Sequence, residues 1–392
     1  MRNKPRIRFK GFTEDWEQRK LGDFTNQINT FVNPEDAKLP LWSLTAEAGL
    51  IEKSDRYERD FLVKKKDQFK RIETNTLVYN PMNITIGSID IYTGLYPIAV
   101  SGYYVSIVYD KNIDTDFLKE VLLLPSSLKM YKNYATGSLI ERQRVQYPTF
   151  SKLQLLLPNL DEQKAIGQFF KSLNLDITLH QRKLEKLKLA KKALLQKLFP
   201  KNGSQFPEIR FKGFTDAWEQ RKLSDITEIV MGQSPSSKNY TDNPNDNILV
   251  QGNADLKDGK VVPRLWTKEI TKTIDKDGII LTVRAPVGDV AKTDYKVVLG
   301  RGVAGIKGND YIYQFLQKLQ NNRYWVSLSS GSTFESINSN DIKDLIIDIP
   351  SIEEQTKISM LLNNVNSIIT LHQRKLDKLQ EVKKGLLQKM FV

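Results

Sequence analysis

The sequence predicts an α+β protein with two pseudo-symmetric domains separated by two long antiparallel coiled-coil helices. Three observations support this: the chain repeats itself, the body of each repeat contains short strand-like runs, and each repeat ends in a long apolar seam. With 392 residues, the chain also exceeds the size of roughly 250 residues at which single cores stop growing. At least two globular units are therefore expected.

The repeat begins with a frame of eighteen residues. Residues 7–24 read IRFKGFTEDWEQRKLGDF and residues 209–226 read IRFKGFTDAWEQRKLSDI, with fourteen identical positions. A second matched pair closes each copy: residues 175–187 (LDITLHQRKLEKL) match residues 367–379 (SIITLHQRKLDKL). This self-similarity indicates a duplication with copies at 1–201 and 202–392.

The middles of the two copies, residues 25–157 and 227–349, share almost no residues. Short apolar or alternating runs predict strands, and amphipathic patterns predict a helix in each body, at 116–124 before Pro125 and at 311–320. Shared frames around divergent bodies indicate one fold with two different surfaces. Neutral drift of a structural duplicate is the alternative.

Apolar residues in segment 161–199 recur in steps of four and three, which is the coiled-coil pattern, and the second copy repeats it. A helix of this length spans about 58 Å. The central seam residues are Leu173, Ile177, His180, Leu184 and Leu187 in the first helix and Val365, Ile369, His372, Leu376 and Leu379 in the second. Antiparallel packing in full register would place His180 opposite His372, as packed or hydrogen-bonded seam positions.

These patterns divide the chain into four parts. They are a variable domain at 1–159, a long helix at 160–200, a linker with a second variable domain at 201–350, and a second long helix at 351–392.

The chain is strongly basic. It has 59 Lys and Arg against 46 Asp and Glu, a net charge of +13 and a pI of about 9.4, which favours a polyanionic partner such as nucleic acid. An anionic membrane face or an ordinary basic enzyme would be the alternatives. No segment approaches 18 apolar residues and no apolar stretch follows the basic first ten residues, so we expect a soluble cytoplasmic protein.

Motifs for catalysis and metal binding are weak. The absence of cysteine and the presence of only two histidines argue against thiol chemistry and metal sites. Residues 300–305 fit GxGxxG, but residues 307–310 read as a turn where a dinucleotide site would need a helix. Residues 80–83 (NPMN) only faintly resemble an adenine methyltransferase motif. We therefore predict no catalytic residues and no metal site.

Basic and aromatic residues cluster in the variable bodies. Lysine attracts phosphates, whereas arginine can also address base edges. The candidate DNA-binding residues are Lys64, Lys65, Lys66, Lys70, Arg71, Tyr104, Tyr134, Arg142 and Arg144 in the first body, and Lys238, Tyr240, Arg264, Arg284, Arg301 and Arg323 in the second. For each one alone, a solvated surface position is the alternative.

The duplicated FKGFTxxWEQRKLxD frames, ITLHQRKLxKL segments and LLQKxF segments resemble the DNA specificity subunit of type I restriction-modification systems, the HsdS family. The resemblance covers essentially the whole chain. The second body adds RAPVG at residues 284–288, but the first has only NPMN near the corresponding place.

The resemblance implies two target recognition domains that each read one half of a split DNA site, with the helices setting the spacing. It implies methyltransferase subunits bound to those helices, motor-nuclease subunits in the same complex, and no membrane partner. The chain would be the non-catalytic subunit of a restriction endonuclease and adenine-N6 methyltransferase, with S-adenosylmethionine, ATP and Mg on the partners. The alternatives are a coiled-coil protein-binding scaffold without DNA specificity, or a self-sufficient nucleic-acid enzyme.

Overall fold

The computed structural model describes residues 4–53, 68–137, 143–201, 203–329 and 335–392. The chain divides into two compact units, Met1–His180 with Lys375–Val392, and Gln181–Arg374. Each unit contains one variable body, the beginning of one long helix and the end of the other. Because each long helix belongs partly to one unit and partly to the other, the unit boundaries do not coincide with the four parts expected from the sequence. That four-part division stays a prediction.

The body of the first unit mixes short strands with short helices. The strands are β1 (Glu17–Lys20), β2 (Thr25–Ile28), β3 (Phe31–Val32), β4 (Trp42–Thr45), β5 (Gly49–Glu52), β6 (Phe69–Ile72), β7 (Thr76–Tyr79), β8 (Ile89–Tyr92), β9 (Ile98–Ser101), β10 (Val105–Tyr109) and β11 (Gln154–Leu157). The helices are α1 (Thr115–Leu122), α2 (Pro125–Tyr134) and α3 (Tyr147–Phe150), followed by the first long helix α4 (Leu160–Lys197). The main sheet has the order β2-β10-β7-β8, beside β3-β6-β9 and the pairs β4-β5 and β1-β11.

The body of the second unit has the same plan, with more strands among the residues that the structure describes. They are β12 (Glu219–Lys222), β13 (Ile229–Met231), β14 (Tyr240–Thr241), β15 (Asn247–Val250), β16 (Leu256–Lys257), β17 (Lys260–Val261), β18 (Trp266–Thr267), β19 (Thr273–Ile274), β20 (Ile279–Thr282), β21 (Val290–Lys292), β22 (Val297–Leu299), β23 (Val303–Ile306) and β24 (Ile346–Ile349). The helices are α5 (Leu223–Ile226), α6 (Asp310–Asn321), α7 (Tyr324–Ser329), α8 (Ser339–Lys343) and the second long helix α9 (Ile352–Met390). The sheets run β13-β23-β20-β21-β17-β16 and β14-β18-β15-β22-β19, and β12 pairs with β24.

The two bodies are built on core sheets with the same strand order. The order β13-β23-β20-β21 repeats β2-β10-β7-β8, and β12-β24 repeats β1-β11. A capped helix follows this sheet in each copy: Asp114 accepts from the Phe117 backbone at the start of α1, and Asn309 accepts from Ile312 at the start of α6. The architecture is therefore one fold built twice, as the repeated frames predict.

The repeated frames supply buried anchors. In the first unit the Trp16 ring is 2% exposed and packs edge-on against Phe117 and Phe391, with centroid distances of 6.1 Å to both. In the second unit Trp218 is 1% exposed and packs against Phe199 at 6.4 Å. Each frame thus fixes its body onto the end of a long helix.

The long helices are antiparallel. In the first unit Phe170, near the start of α4, packs at 5.8 Å from Phe391, just past the end of α9. In the second unit Leu198, beyond the end of α4, shares a core with Ile358 and Leu362 near the start of α9. The beginning of one helix therefore packs with the end of the other in each unit.

The central seam residues differ in burial from their neighbours. Leu173, Ile177, His180, Leu184, Leu187, Val365, Ile369, His372, Leu376 and Leu379 are all buried or half-buried. The off-seam residues Leu175 and Leu189 are 58% and 68% exposed. The pairing of His180 with His372 concerns the junction of the two units and stays a prediction.

One detail of the sequence interpretation is corrected. The helix predicted at 116–124 ends at Leu122, and Pro125 begins a second helix, because proline is tolerated in a first turn. The helix predicted at 311–320 is confirmed as α6, and the GxGxxG segment runs into strand β23 rather than into a helix. Within the described residues, no helix is long and apolar enough to cross a membrane.

Candidate nucleic-acid interface

The turn that joins β22 to β23, residues 300–302, is the centre of a cluster of loops in the second unit. Strand β15 runs parallel to β22, which brings the loop after β15 beside this turn. The Gly300 amide donates to the Val250 carbonyl at 2.8 Å. A Cβ at position 302 would lie 2.1 Å from the Gln251 carbonyl oxygen, so glycine is needed there for the close approach. Gly300 and Gly302 of the GxGxxG segment thus allow the close packing of these loops.

Gln251 is exposed, and both its backbone and its side chain are held in place. Its Nε2 donates to the Tyr240 hydroxyl at 2.8 Å. The Asp255 carboxylate accepts from the amides of Gln251 at 2.8 Å and Gly252 at 3.2 Å. Asp255 is 8% exposed, so these hydrogen bonds fix the loop backbone from its buried side.

A second loop contacts the other side of the turn. The Arg301 amide donates to Ser234 Oγ at 3.1 Å, and the Gln233 amide donates to the Leu299 carbonyl at 2.8 Å. Glu269 accepts from Asn239 Nδ2 and from the Ser236 amide, both at 2.8 Å. These hydrogen bonds lower the pKa of Glu269 and keep it ionised within the loop structure.

Three arginines belong to this cluster of loops. Arg301 lies in it, and Arg284 follows Val283, whose amide donates to the Gly302 carbonyl at 2.9 Å. Arg264 donates to the Ala254 carbonyl at 2.8 Å. Among the described residues, no carboxylate lies within 4 Å of any of these guanidinium groups. The resulting surface, called here the loop face, comprises Tyr240, Gln251, Arg264, Arg284 and Arg301, and its chemistry suits phosphates and base edges.

Two further predicted residues of the second body are exposed outside these contacts. Lys238 lies in a short 3-10 helix, Ser237–Asn239, directly before Tyr240 and close in sequence to the loop face. Arg323 has a left-handed backbone with φ of 53° between α6 and α7, and its backbone contacts are with Gln320 and Ser327. No described hydrogen bond or ion pair joins Arg323 to the loop face.

The first unit has an equivalent turn at residues 102–104, between β9 and β10. The Gly102 amide donates to the Gln68 carbonyl at 2.8 Å, and a Cβ on Gly102 would lie 2.2 Å from that oxygen. The Arg144 guanidinium lies over the Tyr103 ring at 5.7 Å, and both side chains are exposed. Tyr134, 56% exposed, ends α2 two residues before the bridge between Thr136 and Arg144.

Lys70 is not placed for the DNA contact predicted for it. It is 4% exposed, its Nζ donates to the Tyr104 carbonyl at 2.7 Å, and it lies 5.6 Å from the centre of the Phe31 ring. Burial lowers its pKa. Arg71 points outward but pairs with Glu73 at 2.6 Å, and the half-buried Tyr104 accepts from the Leu44 amide at 3.5 Å. The predicted residues Lys64, Lys65, Lys66 and Arg142 lie outside the described residues.

The sequence interpretation missed two exposed glutamines and a serine, namely Gln68, Gln251 and Ser234. A search for basic and aromatic residues passes over uncharged amides. The available signal was the run ILVQGN at 248–253, in which a polar residue ends an apolar strand just before a glycine turn. Within the described residues, no group of three or more His, Asp or Glu side chains is arranged to hold a metal ion.

The sequence profile of the type I restriction modification DNA specificity domain matches the chain twice, at residues 13–189 and 215–381. The chain belongs to this family. Relatives from Methanocaldococcus jannaschii are named as specificity subunits of type I restriction enzymes. One, named provisionally as the type I restriction enzyme MjaX specificity subunit, is 26% identical over 395 residues, covering 95% of this chain and 92% of its own. The MjaVIII specificity subunit is 22% identical over 400 residues, covering 95% and 91%.

Solved structures of this family share the fold. The S subunit of a type I restriction-modification system from M. genitalium matches with a TM-score of 0.68 at 13% identity, covering 99% of both chains. A chain solved in work on complex assembly and conformational transition of the type I R-M system matches with a TM-score of 0.56 at 18% identity, covering 96% of this chain and 97% of its own. The protein is thus a type I DNA specificity subunit, and no finding favours a scaffold without DNA specificity.

Proposed function

We propose that each variable body of this specificity subunit reads one half of a split DNA site. The observation that carries this is the equivalent turn in the two bodies. The same sheet order presents Gly300-Arg301-Gly302 beside Gln251 in one body and Gly102-Tyr103-Tyr104 beside Gln68 in the other. One scaffold that carries different side chains at one place is suited to reading two different sequences.

The long helices then hold the two readers at a set spacing and bind methyltransferase subunits. Spacing between half-sites depends on a rigid connection, and antiparallel helices of 38 and 39 residues supply one. Apolar residues outside the seam support subunit docking: Leu179 is 52% exposed on α4, and Leu371 is 66% exposed on α9. These two leucines occupy matching places in the repeated TLHQRKL segments.

Catalysis belongs to the partners in this proposal. The methyltransferase subunits use S-adenosylmethionine to modify adenine N6, and motor-nuclease subunits use ATP and Mg. The specificity subunit itself holds no cofactor and works in the cytoplasm on double-stranded DNA. Its net charge of +13 supports a polyanionic partner.

Mapping DNA methylation tests this function. The chain is expressed with the methyltransferase subunit of its own restriction-modification system in a host that lacks adenine methylation, and modified adenines are mapped across the genome. The expected result is one motif in two halves separated by a constant number of unread base pairs. A continuous motif, or methylation without a motif, would contradict the proposal.

A further inference from the structure

Each unit places a glutamine beside the turn of its candidate interface. In the second unit Gln251 follows β15, which is parallel to β22, and in the first unit Gln68 precedes β6, which is antiparallel to β9. The strands therefore run in opposite directions, yet each glutamine carbonyl lies against a glycine of the turn that precedes the matching core strand, β23 or β10. Their backbone oxygens lie 2.1 and 2.2 Å from the position that a Cβ on Gly302 or Gly102 would occupy.

The hydrogen bonds that hold the Gln251 loop and the adjoining turn are made by backbone groups and Asp255, and the Gln251 side chain takes no part in them. The loop backbone is already held by Asp255, which accepts from the amides of Gln251 and Gly252 at 2.8 and 3.2 Å. The turn is held by the Gly300 amide, which donates to Val250. Truncating the exposed Gln251 side chain would leave all these hydrogen bonds intact.

The bond to Tyr240 gives the Gln251 amide a defined position. One N–H of Nε2 donates to the Tyr240 hydroxyl at 2.8 Å. The second N–H and Oε1 then offer one donor beside one acceptor. In the major groove, the adenine edge offers the complementary pair, an acceptor at N7 beside a donor at N6, whereas guanine offers two acceptors.

Two arginines of the loop face place positive charge near Gln251. Arg301 lies in the turn beside Gln251, and Arg264 donates to the Ala254 carbonyl of the Gln251 loop. Their positive charges favour the approach of a DNA backbone, which would bring base edges within reach of a short amide side chain.

We propose that Gln251 reads an adenine in the major groove of one half-site, held in position by Tyr240, and that Gln68 does the same in the other half-site. This rests on the proposed split-site function. The adenine read by either glutamine is a stacked base, because its N6 and N7 must stay in the groove.

The test uses the complex of the full chain with its methyltransferase subunits and a panel of duplexes. Each duplex carries the mapped site with one base pair replaced, and methylation rates are compared with those on the intact site. For Gln251→Ala, we expect discrimination at one adenine position of one half-site to fall about 5- to 150-fold, the value of a bidentate contact of about 1–3 kcal/mol. Tyr240→Phe should weaken discrimination at the same position, and Gln68→Ala should affect one position in the other half.

Gln220→Ala is the matched control. Gln220 is also exposed, in the same unit, and its Nε2 makes one side-chain hydrogen bond, to Asp348 at 2.9 Å, but it lies on the frame strand β12. It should leave every position unchanged. An unaltered profile for Gln251→Ala, or an equal loss at every position, would overturn the inference while the split motif of the unsubstituted protein stands. A missing split motif in that protein would instead contradict the proposed function.

Discussion

Arg8 and Glu162, 154 residues apart in the chain, form a bidentate ion pair in the first unit. Arg8 Nε and Nη2 donate to separate oxygens of Glu162 at 2.6 and 2.7 Å, and the Glu162 side chain is 0% exposed. Arg210 and Glu354 repeat the arrangement in the second unit at 2.8 and 2.9 Å. The repeated frame thus binds the first turn of the long helix that follows its own body. This requirement is the same in both copies, which explains why the frames match while the bodies differ.

Breaking the Arg8 pair should destabilise the first unit. For Arg8→Ala we expect a loss of about 3 kcal/mol in the free energy of unfolding, because Glu162 would remain buried without its cationic partner. Arg210→Ala should cost less, since Trp218 Nε1 also donates to Glu354 at 3.2 Å. Urea unfolding measures both. Lys4→Ala is the control: its pair with Asp15 is exposed, so the loss should stay below about 1 kcal/mol. Equal effects of Arg8→Ala and Lys4→Ala would refute the anchoring role.

Lys191 should make stability depend on pH. Burial lowers the pKa of Lys191 to about 8, and its Nζ donates to Gln317 at 2.8 Å. In the unfolded chain the lysine pKa is about 10.4, so between these values the unfolded chain binds more protons, and the cost of burying the charge disappears as pH rises. The stability advantage of Lys191→Met over the unsubstituted protein should therefore shrink by about 2 kcal/mol between pH 7 and pH 10. Lys192→Met is the comparison, because it removes the same charge from an exposed neighbouring position. Parallel pH profiles for the two variants would argue against a buried Lys191 charge.

Gly302→Ala should disturb the loop face. The new methyl group would need the Gln251 carbonyl oxygen, 2.1 Å away, to move, and a backbone atom moves at greater cost than a side-chain end. We expect about 1–3 kcal/mol of destabilisation and weaker discrimination in one half-site, measured by thermal unfolding and by the methylation panel. Gly252→Ala provides the comparison, because nothing lies within 4 Å of its added Cβ. Equal stability of Gly302→Ala and Gly252→Ala in thermal unfolding would contradict a close contact at position 302.

Substitutions at Arg301 and at Lys70 should change the salt dependence of DNA binding differently. If Arg301 contacts a phosphate, Arg301→Gln should reduce the slope of log K against log salt by about 0.9. Lys70→Met should leave that slope unchanged, because the ammonium group binds the Tyr104 carbonyl inside the unit. DNA binding is measured between 50 and about 200 mM salt, with circular dichroism to verify folding. A reduced slope for Lys70→Met would show that its buried position is wrong.

The sequence was sufficient for features that depend on local periodicity. Steps of three and four residues gave the long helices, and the duplicated frames gave the two-copy plan. The order β2-β10-β7-β8 could not be read in the same way, because β2 and β10 are about 80 residues apart and nothing local specifies that pairing.

The sequence indicated the kinds of residue in the candidate site, but it did not show which individual side chains are exposed there. Lys70 and Arg71 are adjacent on β6, so their side chains point to opposite faces: one is buried against the Tyr104 carbonyl and the other is exposed beside Glu73. Counting basic residues cannot distinguish such neighbours. Gln251 was missed for the converse reason, since its role follows from the turn and the tyrosine beside it and not from its charge.

The central claim is that the two bodies read separate halves of one site, and exchanging one body tests it most directly. Residues 227–349 are replaced by the corresponding body of another type I specificity subunit, and methylated adenines are mapped with the same methyltransferase subunit. The account predicts that one half of the motif changes while the other half and the spacing are retained. A change in both halves, or in neither, would contradict it.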